Sequence, residues 1–449
     1  MGTNLCPTPA GRGGEPAKAP DVSLRRIEPK NPVRVWHQLH PWQRSLALVS
    51  LSQAIVIVGF TFMNPLFPLF IQQDLGVEDP KKAAFWAGLT SATMAISMVV
   101  FGPFWGYLAD RYGRKPMVVR AYLGGASVLL LTGLVTDVHQ LIGLRMLHGA
   151  IAGSVGASMA LAASMVPRNR IAMAVGMLQF SSFFAITMGP LMGGLIANAI
   201  GFRSTYFIAS GIAVCAAIIV LFLVHEKFER PQETQGEGFT LFREMWGVLS
   251  TKGVMPALMV IAVVQGAPVI LQPVIPGLIQ LITSGDQAIT RSGFAFATIG
   301  LASGVSAILI GKSSDRLDLR AVLIFSCFGA ALAFLPQFFV HNYLVFLLLL
   351  AIFGIFSGGM LTSINAMVGQ LIPKQHLGSA FGVVNSANAV AWGLSPLVGG
   401  SLALTIGLRR VFPAAAVMLA LTGMAVVGVF KGIRSPAPGQ LGTPHQRHP

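Results

Sequence analysis

Three groups of residues in this chain have types and spacings that could do chemistry. Asp110 and Arg111 stand with Gly113, Arg114 and Lys115 in a ten-residue stretch that begins at Gly106, between uncharged apolar runs at 83–107 and 121–136. A carboxylate at the end of an apolar helix, beside arginines and helix dipoles, is held ionised, and parting it from those partners costs energy. Asp110 can therefore latch neighbouring helices together; a solvated turn that only sets topology is the plainer alternative. Arg145 and His148 are three residues apart and share a helical face. An arginine inside an apolar span must face protein or a wet cavity, and a histidine titrates near neutral pH. The pair thus suits sensing of protons or substrate, against the alternative of a hydrogen-bonded packing histidine. The third group is sparse: Asn64, Gln265, Gln272, Asn365, Asn388 and Trp392 punctuate four apolar runs. Such a set suits a greasy pocket for varied amphipathic ligands.

Elements that could position these groups follow from composition. Only 10% of the 449 residues are charged and 54% are hydrophobic, with a mean hydropathy of +0.70; soluble domains carry about 25% charged residues. Every acidic residue falls in a tail, in a linker or near the end of an apolar run, as a hydrocarbon solvent requires. The net charge of +15 is spread between loops rather than gathered into a patch, so nucleic acid is not an expected partner. Three scattered cysteines give no disulfide framework or metal site, and no cofactor is expected. The absence of a nucleotide loop or paired catalytic carboxylates argues against an enzyme.

Apolar spans long enough to cross a bilayer lie near 46–72, 84–108, 117–136, 139–165, 171–198 and 203–225, then near 254–280, 292–311, 320–338, 342–370, 377–405 and 410–431. The expectation is an all-α membrane protein of twelve transmembrane helices. Residues 1–45 form a basic, Pro/Gly-rich cytoplasmic tail without a leader's apolar core, 226–253 a polar cytoplasmic linker, and 432–449 a second cytoplasmic tail. With both termini inside, 23 of the 31 Lys and Arg fall on the cytoplasmic side and six outside, while Arg120 and Arg145 lie within spans.

An internal repeat divides the spans into two halves, 46–225 and 254–431. Gly176, Ala185, Pro190, Gly193, Gly194, Gly201 and Arg203 recur 206 residues later as Gly382, Ala391, Pro396, Gly399, Gly400, Gly407 and Arg409. Gly106, Asp110 and Arg111 recur as Gly311, Asp315 and Arg316. Two pseudo-symmetric six-helix halves are expected. In the fifth span Ala185, Gly189 and Gly193 form a face of small residues open to close helix approach. Gly189-Pro190 should bend that span, which suits rocking of one half against the other as well as it suits tight packing. Pro65 and Pro68 should distort the first span. No carboxylate lies in the middle of a span, so proton coupling would fall to Asp110, His148 or the substrate itself. Arg145 favours neutral or anionic lipophilic compounds.

Two six-helix halves with Gly106-Tyr-Leu-Ala-Asp-Arg-Tyr-Gly-Arg-Lys115 between the second and third spans resemble the major facilitator superfamily. The copy at Gly311, Asp315 and Arg316 is degenerate, as is usual there. Arg145 with Gly149 looks like the superfamily's second motif. Gly176, Gly189-Pro190 and Gly193-Gly194 match the signature of its twelve-helix drug:proton antiporter branch, although Ala185 stands where a glycine is usual. The resemblance covers most of 46–431 and extends to bacterial multidrug efflux pumps. It implies a plasma-membrane transporter, a monomer in the lipid bilayer, that exports small amphipathic compounds in exchange for protons. The fifth-span bend would then seal against leak, and the Asp110 loop would act as a gate. Export of one metabolite, a sugar or an organic anion, is the second reading; a non-transporting membrane sensor is the third.

Overall fold

The computed structural model describes Gly2 and residues 40–167, 170–226, 254–283, 287–313, 317–371 and 377–429. Among them every regular element is helical. The first half contains α1 (Pro41–Thr61), α2 (Phe67–Gln73), α3 (Pro80–Tyr112), α4 (Arg114–Thr132), α5 (Val138–Ile151), α6 (Ser154–Met165), α7 (Ile171–Ile200) and α8 (Phe202–Leu223). The second contains α9 (Val254–Ile270), α10 (Ile275–Ile282), α11 (Ala288–Ser313), α12 (Leu319–Phe334), α13 (Tyr343–Leu371), α14 (Leu377–Ile406) and α15 (Val411–Val429). Three spans are built from two pieces. The first span is α1 and α2, parted at the prolines where distortion was expected; the seventh is α9 and α10; the fourth, without a proline, is α5 and α6.

Among the described residues, eleven spans are long and apolar enough to cross a membrane. The twelfth, α4, carries Arg114, Lys115 and Arg120 and packs along α8 within the first half. Acids cluster at span ends for a structural reason: Asp79, Asp137 and Asp318 are N-caps. Their carboxylates accept the N–H groups of Lys81 at 2.9 Å, His139 at 2.9 Å and Arg320 at 3.0 Å, which otherwise lack helical partners. Single glycines turn the chain between α3 and α4 and between α7 and α8. Gly113 has φ +100° and Gly201 φ +84°, a region other residues enter only with strain. Gly407, the repeat of Gly201, has φ +91° and does the same before the last span.

The repeat is visible in packing. Arg203, at the start of α8, donates to the Gly133 carbonyl beyond α4 at 3.2 Å. Arg409 donates to the Phe338 and Val340 carbonyls beyond α12 at 3.3 and 2.9 Å. Each arginine thereby ties the third span of its half to the sixth. Arg203 also donates to Asp74 at 3.2 Å. Burial pushes the Asp74 carboxyl above its ordinary range, and Arg203 pulls it back only part of the way.

Helices α7 and α14 run unbroken through Pro190 and Pro396. Their paired glycines divide the labour of packing. A Cβ on Gly193 would collide with the Phe62 carbonyl of its own half, and one on Gly399 with the Ile270 carbonyl of its own half. The next glycine in each pair faces the other half. Gly194 meets Gly293 Cα of α11 at 3.2 Å from its Cβ position, and Gly400 meets Phe85 Cα of α3 at 2.8 Å. The small face of Ala185, Gly189 and Gly193 therefore seats the first span, where the Thr61 hydroxyl also donates to the Ala185 carbonyl at 3.2 Å. On α7 the contact with the other half falls to Thr187, Pro190, Leu191 and Gly194.

Candidate functional site

Arg145 and His148 lie on one face of α5 and are both buried, at 7% and 5% exposure. The Arg145 guanidinium lies 3.9 Å from the centre of the Phe67 ring and donates to Asn64 Oδ1 at 2.9 Å and to the Met94 sulfur at 3.5 Å. Asn64 occupies the short turn between α1 and α2, where the prolines break the ladder and leave the chain close to α5. The structure thus brings together two residues that sequence marks separately. It also adds Phe67 and Met94, two apolar residues whose partnership with a cation no local pattern announces. His148 packs edge-on against Phe60, ring centres 5.0 Å apart. No carboxylate of the described residues pairs with Arg145, so this is a cation held by an amide, a ring and a sulfur.

One turn further on, the fourth span breaks. Ala152 is extended and Gly153 has φ +122°, which releases carbonyls that a continuous helix would use. The indole N–H of Trp105, on α3, donates to the Ala150 carbonyl at 2.6 Å. Arg120, on α4, stacks 3.3 Å from the centre of the Trp105 ring, with Nη2 3.5 Å from the Ala152 carbonyl. The break is therefore seated on the second and third spans.

The turn at Gly113 is held from a distance. Glu226, just past α8, accepts the Arg114 N–H at 3.0 Å and the Lys115 N–H at 2.9 Å, one with each carboxylate oxygen. A carboxylate at a helix N-terminus satisfies orphan donors and complements the dipole. Glu226→Ala is expected to lower stability by about 1–2 kcal/mol, measured as a drop in melting temperature of the purified protein; an unchanged melt would remove Glu226 from the cap. Asp110 lies in the last turn of α3 and its side chain falls outside the described set. Arg111 Nη1 donates to the Tyr107 hydroxyl at 3.3 Å, and Arg114 Nη1 to the Ala160 carbonyl of α6 at 3.3 Å. Asp315 and Arg316 lie outside the described residues.

Among the described residues, close contacts between the halves gather toward one end of the seam. Residues eighteen apart share a helical face, because about 3.6 residues make a turn. On α3, Gly88 packs against Pro396 and Leu397 of α14, while the Cβ position of Gly106, eighteen residues on, meets nothing within 4 Å. On α7, Gly194 packs on Gly293, and Gly176 eighteen residues away meets nothing. On α11, a Cβ on Gly293 would stand 2.8 Å from the Pro190 carbonyl oxygen. Among the described residues the halves touch from the Asp74 end as far as Ala95 and Gly300, and no described residue meets the Gly106 or Gly176 positions. Phe180 and Phe183, close to the Gly176 face of α7, are exposed at 70% and 60%. Arg145 sits behind the closed contacts: Met94 adjoins Ala95, against which Gly393 packs.

Other residues of the sparse polar set are dispersed. Gln265 is buried on α9 and Gln272 is half-buried in the turn before α10. Asn365 is exposed on α13; Asn388 is half-buried on α14 with Oδ1 lacking a partner among the described residues, and Trp392 is exposed. The structure gathers only Asn64 around Arg145.

A family model described as the Major Facilitator Superfamily matches residues 49–286 and 269–449. Multidrug resistance protein MdtG of Citrobacter koseri is 30% identical over 373 residues, covering 83% of this chain and 91% of the relative. The MdtG of Escherichia coli K12 is 27% identical over 372 residues, covering 83% and 90%. Among solved structures, a bacterial homologue of the human lysosomal transporter Spinster, inward-facing and unoccupied, has a TM-score of 0.70 at 15% identity, covering 88% of this chain and 99% of that one. The nucleoside transporter NupG has a TM-score of 0.70 at 14% identity, covering 85% and 100%. At these identities the two structures share the fold.

Proposed function

Because this chain belongs to the major facilitator superfamily and is a multi-pass membrane transporter rather than an enzyme, we propose that it exports lipophilic compounds by alternating access, in exchange for protons. The observation that carries this reading is the uneven seam: glycine faces in contact at the Asp74 end, and the Gly106 and Gly176 positions eighteen residues along α3 and α7 unmet by any described residue. Two halves that meet at one end and open at the other have one of the two states that alternating access needs. The charge bias favours a cytoplasmic Gly106 end and cytoplasmic termini; in that orientation the state is inward-open. The relatives' name as multidrug resistance proteins supports drug export, and the exposed phenylalanines of α7 offer varied ligands a greasy wall.

In this reading Arg145 and His148 meet substrate or protons from outside once the seam opens, because closed contacts cover them now. Asp110 and Arg111 draw the cytoplasmic ends together in the opposite state. Arg145, with an amide for partner and no carboxylate, favours neutral or anionic amphiphiles over permanent cations.

The test is proton movement driven by substrate. Protein in liposomes loaded with a pH dye should give a signal with several unrelated lipophilic compounds. A response to one chemical type would replace multidrug export with export of one metabolite. Exchange of labelled compound with no pH signal would overturn proton coupling.

A further inference from the structure

A cavity of about 470 Å³ opens at the Asp74 end of the seam, where α7 of the first half meets α11 and α13 of the second. It is separate from the Arg145 nest and from the parted end. Its lining is two-faced. Asn198, Gln287, Thr290 and Arg291 supply hydrogen-bond donors, while Phe294 and Leu347 supply an apolar wall. Phe294 is 45% exposed. Arg291 is held in place from three sides: its guanidinium lies 5.0 Å from the Tyr343 ring centre, Nη1 donates to the Thr283 hydroxyl at 2.9 Å, and its carbonyl accepts the Tyr343 hydroxyl at 3.0 Å. None of these partners is anionic, and no carboxylate of the described residues lies within 4.0 Å of it. A positioned cation among neutral donors, one turn from an exposed phenyl ring on a membrane-facing helix, matches an anionic head on an acyl chain.

We propose that this cavity binds an anionic lipid, with its phosphate on Arg291 and the neighbouring amides and its first methylenes along Phe294 and Leu347. Each part follows from ordinary chemistry. Guanidinium–phosphate pairs are charge-assisted and often bidentate. Three neutral donors around Arg291 can take the remaining phosphate oxygens. The apolar wall gives chain-bearing anions an advantage over free ones. Asn198 belongs to one half and Arg291 to the other, so the bound head bridges the closed seam and favours the state with that end shut. The inference concerns the outer seam alone and stands whichever compound the transporter carries.

The experiment titrates purified full-length protein in detergent with phosphatidylglycerol and reads bound lipid by native mass spectrometry. Wild-type protein is expected to hold one lipid that Arg291→Gln binds about tenfold more weakly. Phosphatidylcholine with the same chains should not distinguish the two proteins, and millimolar inorganic phosphate should not displace the lipid. Equal phosphatidylglycerol binding by the wild type and Arg291→Gln overturns the proposal. Displacement by phosphate alone overturns it too, since the site would then read a free anion. If Arg291→Gln melts below the assay temperature, Phe294→Ala carries the test; unchanged phosphatidylglycerol binding by that variant overturns the lipid site.

Discussion

Gly194→Leu is expected to abolish transport while leaving the protein folded in the bilayer. The Cβ position of Gly194 is 3.2 Å from both Gly293 Cα and the Ile289 carbonyl oxygen of the other half, so a leucine there has no room while the seam is closed. Within its own half the substitution disturbs little, because the neighbouring Gly193, not Gly194, meets the Phe62 carbonyl. Overpacking costs about 1–3 kcal/mol. Here that cost falls on one of two states, which shifts the population between them by about tenfold or more. The readout is alkylation of Phe183→Cys by a membrane-impermeant reagent, in a background without the native cysteines. Labelling from the Gly106 face should fall with transport. Gly193→Leu gives the contrast, since its clash lies inside one half and should lower the yield of folded protein. Wild-type transport by Gly194→Leu would mean that the seam contact is not part of the cycle.

Replacing Arg145 with leucine is expected to cut transport by about tenfold or more, yet to cost little stability. The leucine removes a buried cation whose desolvation is itself unfavourable, and leaves Asn64 Oδ1 to find water or a new donor. Asn64→Leu should be the more destabilising single change, by about 1.5–3 kcal/mol, because it strips a charged donor of its one oxygen partner among the described residues. The double variant restores stability and not transport. Melting temperatures and exchange of labelled substrate measured side by side decide the matter. If Arg145→Leu with Asn64→Leu transports normally, the nest is packing and the substrate contacts lie elsewhere.

Much of this architecture is legible in sequence because the bilayer is a severe solvent. It forces apolar runs to a set length, banishes acids to helix ends, and sorts cations by side. The repeat of Gly193-Gly194 as Gly399-Gly400 points to close packing, but not to which glycine faces which half; that depends on a rotation of one residue about the helix axis. The broken fourth span leaves almost no trace, since Gly153 stands in a run of small residues that reads as continuous helix. Its signals are long-range: the Trp105 indole and the Arg120 guanidinium come from other spans. Glu226 reads as the start of a polar linker, and only folding brings it to a helix end 111 and 112 residues away. Arg145 and Asn64 are each conspicuous, but their contact spans 81 residues. The members of the expected cavity set differ in burial, Gln265 buried and Asn365 and Trp392 exposed, because helical period alone does not fix the rotation of each span.

Eighteen helical residues span about 27 Å, and the halves also touch near the middle of that length, Gly393 on Ala95 and Gly300 on Thr187, so each glycine face is a lever whose fulcrum lies between its two ends. Turning one half by about 20° would swing each end through roughly 5 Å over such an arm, parting Gly194 from Gly293 as the Gly106 end draws in. The two ends therefore tolerate error differently. A surplus methyl group at the closed end has no gap to occupy, whereas one at the far end merely narrows a wide opening. Backbone and glycine at the closed end, with exposed phenylalanines along the open one, is the material distribution such a lever demands.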